Sequence, residues 1–273
     1  MGRHALERNG SQMALIELRY SSNVLGKMTG AMILSPERED LRGPFPVFYL
    51  LHGLSDDYSA WMRRSTIERH VENLPLLVVM PDGGRGWYTD AREGFAYDTA
   101  IAHELVSLVD RTFHTDARRE ARVIGGLSMG GYGALKLALA HPDLFCSAVS
   151  HSGALLVPTR QDAPEHVLRD ELRRIFGTEV RGGRHDLQTL VGQLDRDRLP
   201  ALRIDCGTED ALLDENRQFH ARLEKLGIPH EYAEYPGNHD WNYWDLHVQE
   251  AIAFHLRVLA QYSRSVDLAM PQN

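Results

Sequence analysis

The sequence predicts an α/β fold built on a mostly parallel sheet, and three observations predict it. Short apolar blocks bounded by Gly and Pro recur along the chain, as buried strands require. Helix-length stretches separate them, which implies right-handed crossovers between parallel neighbours. Composition agrees: 273 residues with 43% hydrophobic and 25% charged side chains describe a globular protein and exclude disordered, collagen-like and coiled-coil classes. A length prior of about 150 residues per domain allows two domains, but α/β folds run to about 250 residues around one sheet. One domain over 13–273 is therefore expected, with 1–12, polar and aperiodic, as a leader outside the core.

The elements follow in order. Strand patterns occupy 14–21 and 29–36, joined too tightly for a crossover and so expected as an antiparallel edge. The apolar strand FPVFYLLHG (45–53) leads into a helix-like stretch through Trp61 and His70. LPLLVVMPDG (74–83) is the next strand, followed by a Gly-rich loop with GWYTD (86–90) and an amphipathic helix near 98–113. Strand ARVIGGLS (121–128), helix GGYGALKLALAH (130–141) and strand LFCSAVSHSG (144–153) continue the alternation. Residues 155–198, rich in Arg and Asp, break it and read as an insertion forming a small cap over the carboxyl end of the sheet. Strand character resumes at ALRIDCGTED (201–210), then a helix over 211–226, strand HEYAEYPG (230–237) and a closing helix around 242–261.

Charge and cysteine content exclude several functions. With 30 Lys and Arg against 38 Asp and Glu, the net charge of −8 leaves no basic footprint for a phosphate backbone, so nucleic acid is not an expected partner. No apolar run approaches the roughly 18–20 residues of a membrane span, and the amino end lacks the apolar core of a signal peptide. Leu6 stands where a myristoylation signal carries Ser or Thr. Cys146 and Cys206 alone cannot build a disulfide framework or a four-cysteine zinc site, which fits a reducing cytoplasm. Without H-E-x-x-H or a close Cys/His cluster, neither a metal nor a cofactor is expected.

Gly126-Leu127-Ser128-Met129-Gly130 matches G-x-S-x-G between a β-branched strand and an Ala/Leu-rich helix, where a nucleophile elbow requires it. Glycines on either side of Ser128 let the chain turn sharply without a Cβ clash, leaving the hydroxyl at the tip of the sheet. A chance match is the competing reading, and the strand before and helix after count against it. A nucleotide loop is excluded by the absence of G-x-G-x-x-G in a first βαβ unit and of a GK[ST] ending.

A serine hydroxyl needs a general base, and this elbow presents its partners in the chain order Ser, acid, His. His220, His247 and His255 fall within helical patterns, whereas Pro236-Gly237-Asn238 ends the last strand and leaves His239 in the loop before the closing helix. That makes His239 the candidate base, against the plainer reading of a loop His bonding backbone. Asp210, at the turn after the strand ending in Cys206-Gly207, is the candidate orienting acid. Glu209 and Asp214 compete for that role, and Asp210 could instead be a plain N-cap.

An oxyanion hole needs two backbone N–H donors, one from Met129 and one from the turn after His52-Gly53, where Leu54 is placed. Gly53 permits close backbone approach there. Trp87, Tyr88, Trp241 and Trp244 fall in loops at the same edge, as do His151-Ser152-Gly153. Gly53, Trp87, Tyr88, Ser152 and Trp241 are thus expected near the substrate, with packing of the closing helix as the alternative for the aromatics.

LLHGLSDDYSAW, GWYTD, GLSMGGYGALKLA, CGTED and NHDWNYW together resemble the esterase D-like "putative esterase" family in content and order, from Met13 to about Tyr262. The bacterial tributyrin-esterase branch is the most similar; feruloyl and acetylxylan esterases, S-formylglutathione hydrolases and the antigen 85 mycolyltransferases are related. The resemblance implies an α/β-hydrolase fold, a Ser128, Asp210 and His239 triad with the Leu54 and Met129 amides as oxyanion hole, and a serine carboxylesterase acting on short-chain acyl esters. It implies a small-molecule ester as partner and leaves a homo-oligomer open. Two departures count against particular branches: S-formylglutathione hydrolases carry S-G-L-T-C-T where this chain has His52-Gly53-Leu54-Ser55-Asp56, and mycolyltransferases are secreted. A feruloyl or acetylxylan esterase is the alternative, and an S-formylglutathione hydrolase or a catalytically idle binding protein on the same fold are the further ones.

Overall fold

The computed structural model describes residues 13–37, 40–159 and 166–269; the expected leader, 1–12, lies outside them. Eight strands form one sheet: β1 (Met13–Ser22), β2 (Lys27–Pro36), β3 (Val47–Leu51), β4 (Leu77–Pro81), β5 (Arg122–Leu127), β6 (Ser147–His151), β7 (Ala201–Gly207) and β8 (His230–Tyr235). Their order is β1-β2-β4-β3-β5-β6-β7-β8. β1 pairs antiparallel with β2 and β2 with β4, and every other pairing is parallel, so β2 alone runs against the rest. The tight β1–β2 connection allows only that hairpin, because a parallel neighbour needs a crossover of a dozen residues or more.

Both sheet faces are covered, which is why the central strands read as unbroken apolar runs. Val47, Tyr49 and Leu51 of β3 face one core, while Phe48 and Leu50 face the other. The second core lies under α1 (Ala60–Arg64), α2 (Ile67–Val71) and the long closing helix. On the first, α3 (Tyr97–Thr99) passes through a π-helical turn (Ala100–Leu105) into α4 (Val106–Thr112), beside α5 (Met129–Ala140). α5 is buried almost all round, and even Lys136 is 2% exposed. Its ammonium is met by Asp98, which also takes His141 Nε2.

Within 155–198 the chain forms a 3-10 turn (Val157–Thr159), α6 (His166–Phe176) and α7 (Leu187–Gln193). Leu172, Ile175, Phe176, Leu187 and Val191 join the first core, with α7 against α5 and α6 held to the 92–93 loop by the Ile175 and Arg174 carbonyls. α8 (Leu213–Leu226) and α9 (Trp241–Ala269) complete the helices. No helix among the described residues is long and apolar enough to cross a membrane.

In α9, His255 is fully buried against Phe48, with Nδ1 2.8 Å from Ser147 Oγ. Burial, with the nearby His151 and Arg203 adding to it, pushes its ring from the ordinary 6.5 down to about 3. The fold therefore holds the neutral ring while the unfolded chain takes up a proton, so stability contributed above pH 6.5 is lost as pH falls toward 3. Below pH 6.5 the wild type should lose stability more steeply than His255→Gln, by about 1.4 kcal/mol per pH unit. Denaturant titrations at about pH 7, 6, 5 and 4 measure the difference; parallel curves would refute the assignment.

Candidate active site

From β3 the chain crosses to β4 on one side, and from β5 to β6 on the other. The sheet thus has its topological switch point between the carboxyl ends of β3 and β5, where a crevice forms in open α/β sheets. The turn after β3 carries 52–56 and the turn after β5 carries Ser128.

Ser128 sits at φ 52° and ψ −116°, a conformation that costs a non-glycine residue about 1–3 kcal/mol. Its neighbours hold it there. Its N–H donates to the His151 carbonyl at 2.9 Å, and its own carbonyl accepts from Tyr132 and Ala154, each at 3.1 Å. The flanking glycines make the turn sterically feasible: a Cβ on Gly126 would lie 2.5 Å from the Gly130 carbonyl oxygen, and one on Gly130 would lie 2.6 Å from the Leu51 and His52 oxygens. Strain gathers along this edge, since Ser55, Trp87, Tyr88 and Ser152 also have positive φ.

The structure brings three of the expected residues into one hydrogen-bonded chain. His239 Nε2 is 3.0 Å from Ser128 Oγ, and His239 Nδ1 is 2.8 Å from Asp210 Oδ2. Asp210 is buried and takes the His239 ring, whereas Glu209 and Asp214 are exposed. The capping reading of Asp210 also describes something real, because its Oδ1 accepts from the Leu212 amide at 2.8 Å at the start of α8. Burial pushes the Asp210 carboxyl up, but the hydrogen bonds from His239 and Leu212, the His239 charge and the Ser152 hydroxyl outweigh it and hold the group below the usual carboxylate range. With the carboxylate charged, Nδ1 carries the proton and Nε2 offers its lone pair to the serine. The perpendicular Trp244 ring, 5.0 Å away between centroids, walls one side of His239.

The turn after β3 is fixed by the His52 ring. Its Nε2 accepts from the Gly83 amide at 2.9 Å, so its Nδ1 carries the proton and donates to the Gly53 carbonyl at 2.8 Å. The Asp56 amide donates to the same oxygen. Because a trans peptide points its C=O and N–H in opposite directions, anchoring the Gly53 oxygen sets the direction of the Leu54 N–H. Among the described residues, neither the Leu54 nor the Met129 N–H has an acceptor. Gly53 stands close to Ser128, since a Cβ there would lie 3.7 Å from Ser128 Cβ.

The expected aromatics face inward. Trp87, 2% exposed, packs edge-on against Tyr132 and Phe176, and Trp241 packs against Trp61 and Trp244. Tyr88 is fully buried and donates its hydroxyl to the His52 carbonyl at 2.8 Å, bracing the same turn. Asp240, one residue after His239, accepts from the amides of Asn242 and Tyr243 and caps the start of α9. The D-W-N-Y spacing after His239 carried that signal.

The family model described as "Putative esterase" matches residues 22–255. An acetyl esterase of Caldicellulosiruptor saccharolyticus is 28% identical over 264 residues, covering 90% of this chain and 99% of that protein. Among solved structures, the Staphylococcus aureus fluorophosphonate-binding serine hydrolase F superposes with a TM-score of 0.82 at 31% identity, covering 89% of this chain and 98% of that one. The S-formylglutathione hydrolase FrmB of the same organism gives 0.81 at 30% identity, covering 90% and 99%. A pairing of serine with histidine at the sheet's switch point, on a chain matched by these proteins along nearly its whole length, places this chain in the "Putative esterase" family as a serine hydrolase of carboxylic esters with the α/β-hydrolase fold.

Proposed function

We propose that the chain is a carboxylesterase for short-chain acyl esters in which Ser128 is the nucleophile, His239 the general base and Asp210 the orienting acid. The 3.0 Å and 2.8 Å contacts that run from serine through both histidine nitrogens to the carboxylate carry this reading. As Ser128 Oγ attacks the ester carbonyl, its proton passes to His239 Nε2, and the Leu54 and Met129 N–H groups receive the developing oxyanion. The imidazolium, held by Asp210, then protonates the leaving alcohol. Water repeats the cycle on the acyl-enzyme, releasing the acid and restoring the serine.

An acyl group of modest size is supported by the acetyl esterase relative. The thioester reading, S-formylglutathione hydrolysis, has a relative of that name behind it. Against it stands the turn after β3, where this chain has His52-Gly53-Leu54-Ser55-Asp56 and S-formylglutathione hydrolases carry S-G-L-T-C-T. A 4-nitrophenyl ester series from acetate to octanoate, run beside methyl ferulate and S-formylglutathione, decides among them. The proposal expects kcat/KM to peak at or below butyrate and to fall for both other substrates. A maximum on ferulate or on the thioester, or a steep rise toward octanoate, would replace it. No covalent labelling of Ser128 by an organophosphate would instead leave an idle binding protein.

A further inference from the structure

Beneath the site, on the face of the sheet covered by α9, lies a fully buried polar group that the reaction scheme does not use. Asp205, on β7, is 0% exposed. Its Oδ1 meets His151 Nδ1 at 2.9 Å and accepts from the Tyr243 hydroxyl at 3.1 Å. Arg203 Nε stands 3.7 Å from Oδ2, with its guanidinium held outward by Glu231 and the Tyr235 hydroxyl. Neither Asp205 Oδ2 nor His151 Nε2 has a hydrogen-bond partner among the described residues. A buried carboxylate and a buried imidazole with unused atoms are expensive, and apolar residues of similar volume would stabilise the core at least as well. Stability alone does not account for the cluster.

Its three members each attach to a different part of the site. His151 supplies the carbonyl that accepts from the Ser128 N–H, so the residue whose ring meets Asp205 also holds the strained elbow through its backbone. The Asp205 carbonyl accepts from the Ser152 N–H at 2.8 Å, fixing the turn whose Ala154 amide holds the Ser128 carbonyl. Tyr243 belongs to the first turn of α9, and its ring fills the space beside Gly237, where a Cβ would lie 2.7 Å from Cδ2. Gly237, at φ 145°, is in the loop that presents His239, and its carbonyl accepts from the Glu209 amide in the loop that presents Asp210.

The geometry points to Asp205, with His151 and Tyr243, as a positioning unit that sets the alignment of Ser128 against His239. This inference rests on the catalytic reading proposed above. The carboxylate ties the nucleophile's turn to the base's loop across β6, β7 and α9. Small displacements of reacting groups cost large factors in rate, so loosening the tie should appear in the chemical step and leave substrate binding alone.

The test uses Tyr243→Phe, which removes one oxygen and keeps the ring against Gly237, and Asp205→Asn, which keeps the acceptor and removes the charge. Kinetics with 4-nitrophenyl acetate are expressed per active site titrated with a fluorophosphonate, alongside thermal melts and the rate of that labelling. Tyr243→Phe should lower kcat about tenfold with KM within about twofold, and slow labelling by a similar factor; Asp205→Asn should lower kcat about a hundredfold. A purely structural role would move Tm and the titrated fraction while leaving kcat per titrated site unchanged, and that result for Tyr243→Phe overturns the inference even where Asp205→Asn fails to fold. Ser128→Ala serves as the control. If it is inactive while Tyr243→Phe matches wild type, only the positioning role fails; if it remains active, the catalytic reading itself has failed.

Discussion

Ser128→Ala is expected to lower kcat for 4-nitrophenyl acetate by about four to six orders of magnitude while leaving a folded protein. The hydroxyl is the only atom lost. All three hydrogen bonds that hold the elbow use the backbone N–H and carbonyl of residue 128, so alanine keeps them and the strained φ of 52°. The Leu54 and Met129 amides, the proposed oxyanion hole, also remain and should account for any residual rate above water. A Tm at or slightly above the wild-type value is expected, because a site shaped for chemistry is seldom optimal for stability. Circular-dichroism melts beside steady-state kinetics check both parts. A variant within tenfold of wild type would mean that another group attacks the ester.

Asp210→Asn should cost about four orders of magnitude in kcat with little change in KM. An asparagine oxygen can still accept from the Leu212 amide, so the start of α8 is kept. Toward His239, however, the new amide can present N–H to Nδ1, which then becomes the acceptor and moves the ring proton to Nε2. A protonated Nε2 facing Ser128 Oγ at 3.0 Å cannot take the serine's proton. The charge has a thermodynamic signature as well. Asp210 is held below the usual carboxylate range against the push of burial, so it contributes stability above that range and loses it as pH falls through the depressed value. Below about pH 4 the wild type should therefore lose stability faster than Asp210→Asn. Kinetics at pH 7 to 8 and acid-side unfolding curves check the two effects, and a variant retaining a tenth of wild-type kcat would show that the charge is dispensable.

What the sequence makes legible is written in local pattern. Alternating burial in β1, the unbroken apolar runs of β3 and β4, and the close glycines around Ser128 each depend on residues within a few positions of one another. Element ends were less legible: the stretch expected as one helix through Trp61 and His70 is two short ones broken at Ser65 and Thr66, and α9 continues to Ala269, beyond the expected 261. The side chains of Trp87 and Tyr88 were ambiguous for a clear reason. An aromatic in a loop reads the same whether it lines a crevice or closes a core, and only the neighbours Tyr132, Phe176 and His52 distinguish the two.

Asp205 and Tyr243 look ordinary in their own elements, and although His151 falls at the site's edge of the sheet, nothing local joins it to either of them. By itself, then, the sequence determined the layered α/β architecture, the sharp turn at Ser128 and the candidate partners after it, because period, glycine spacing and chain order act over short range. Only the tertiary structure decided which acid meets His239, which turn carbonyls are anchored and which buried groups connect the loops. Those contacts join residues 29, 111, 54 and 38 positions apart, and their existence depends on strand order and register that no local pattern encodes.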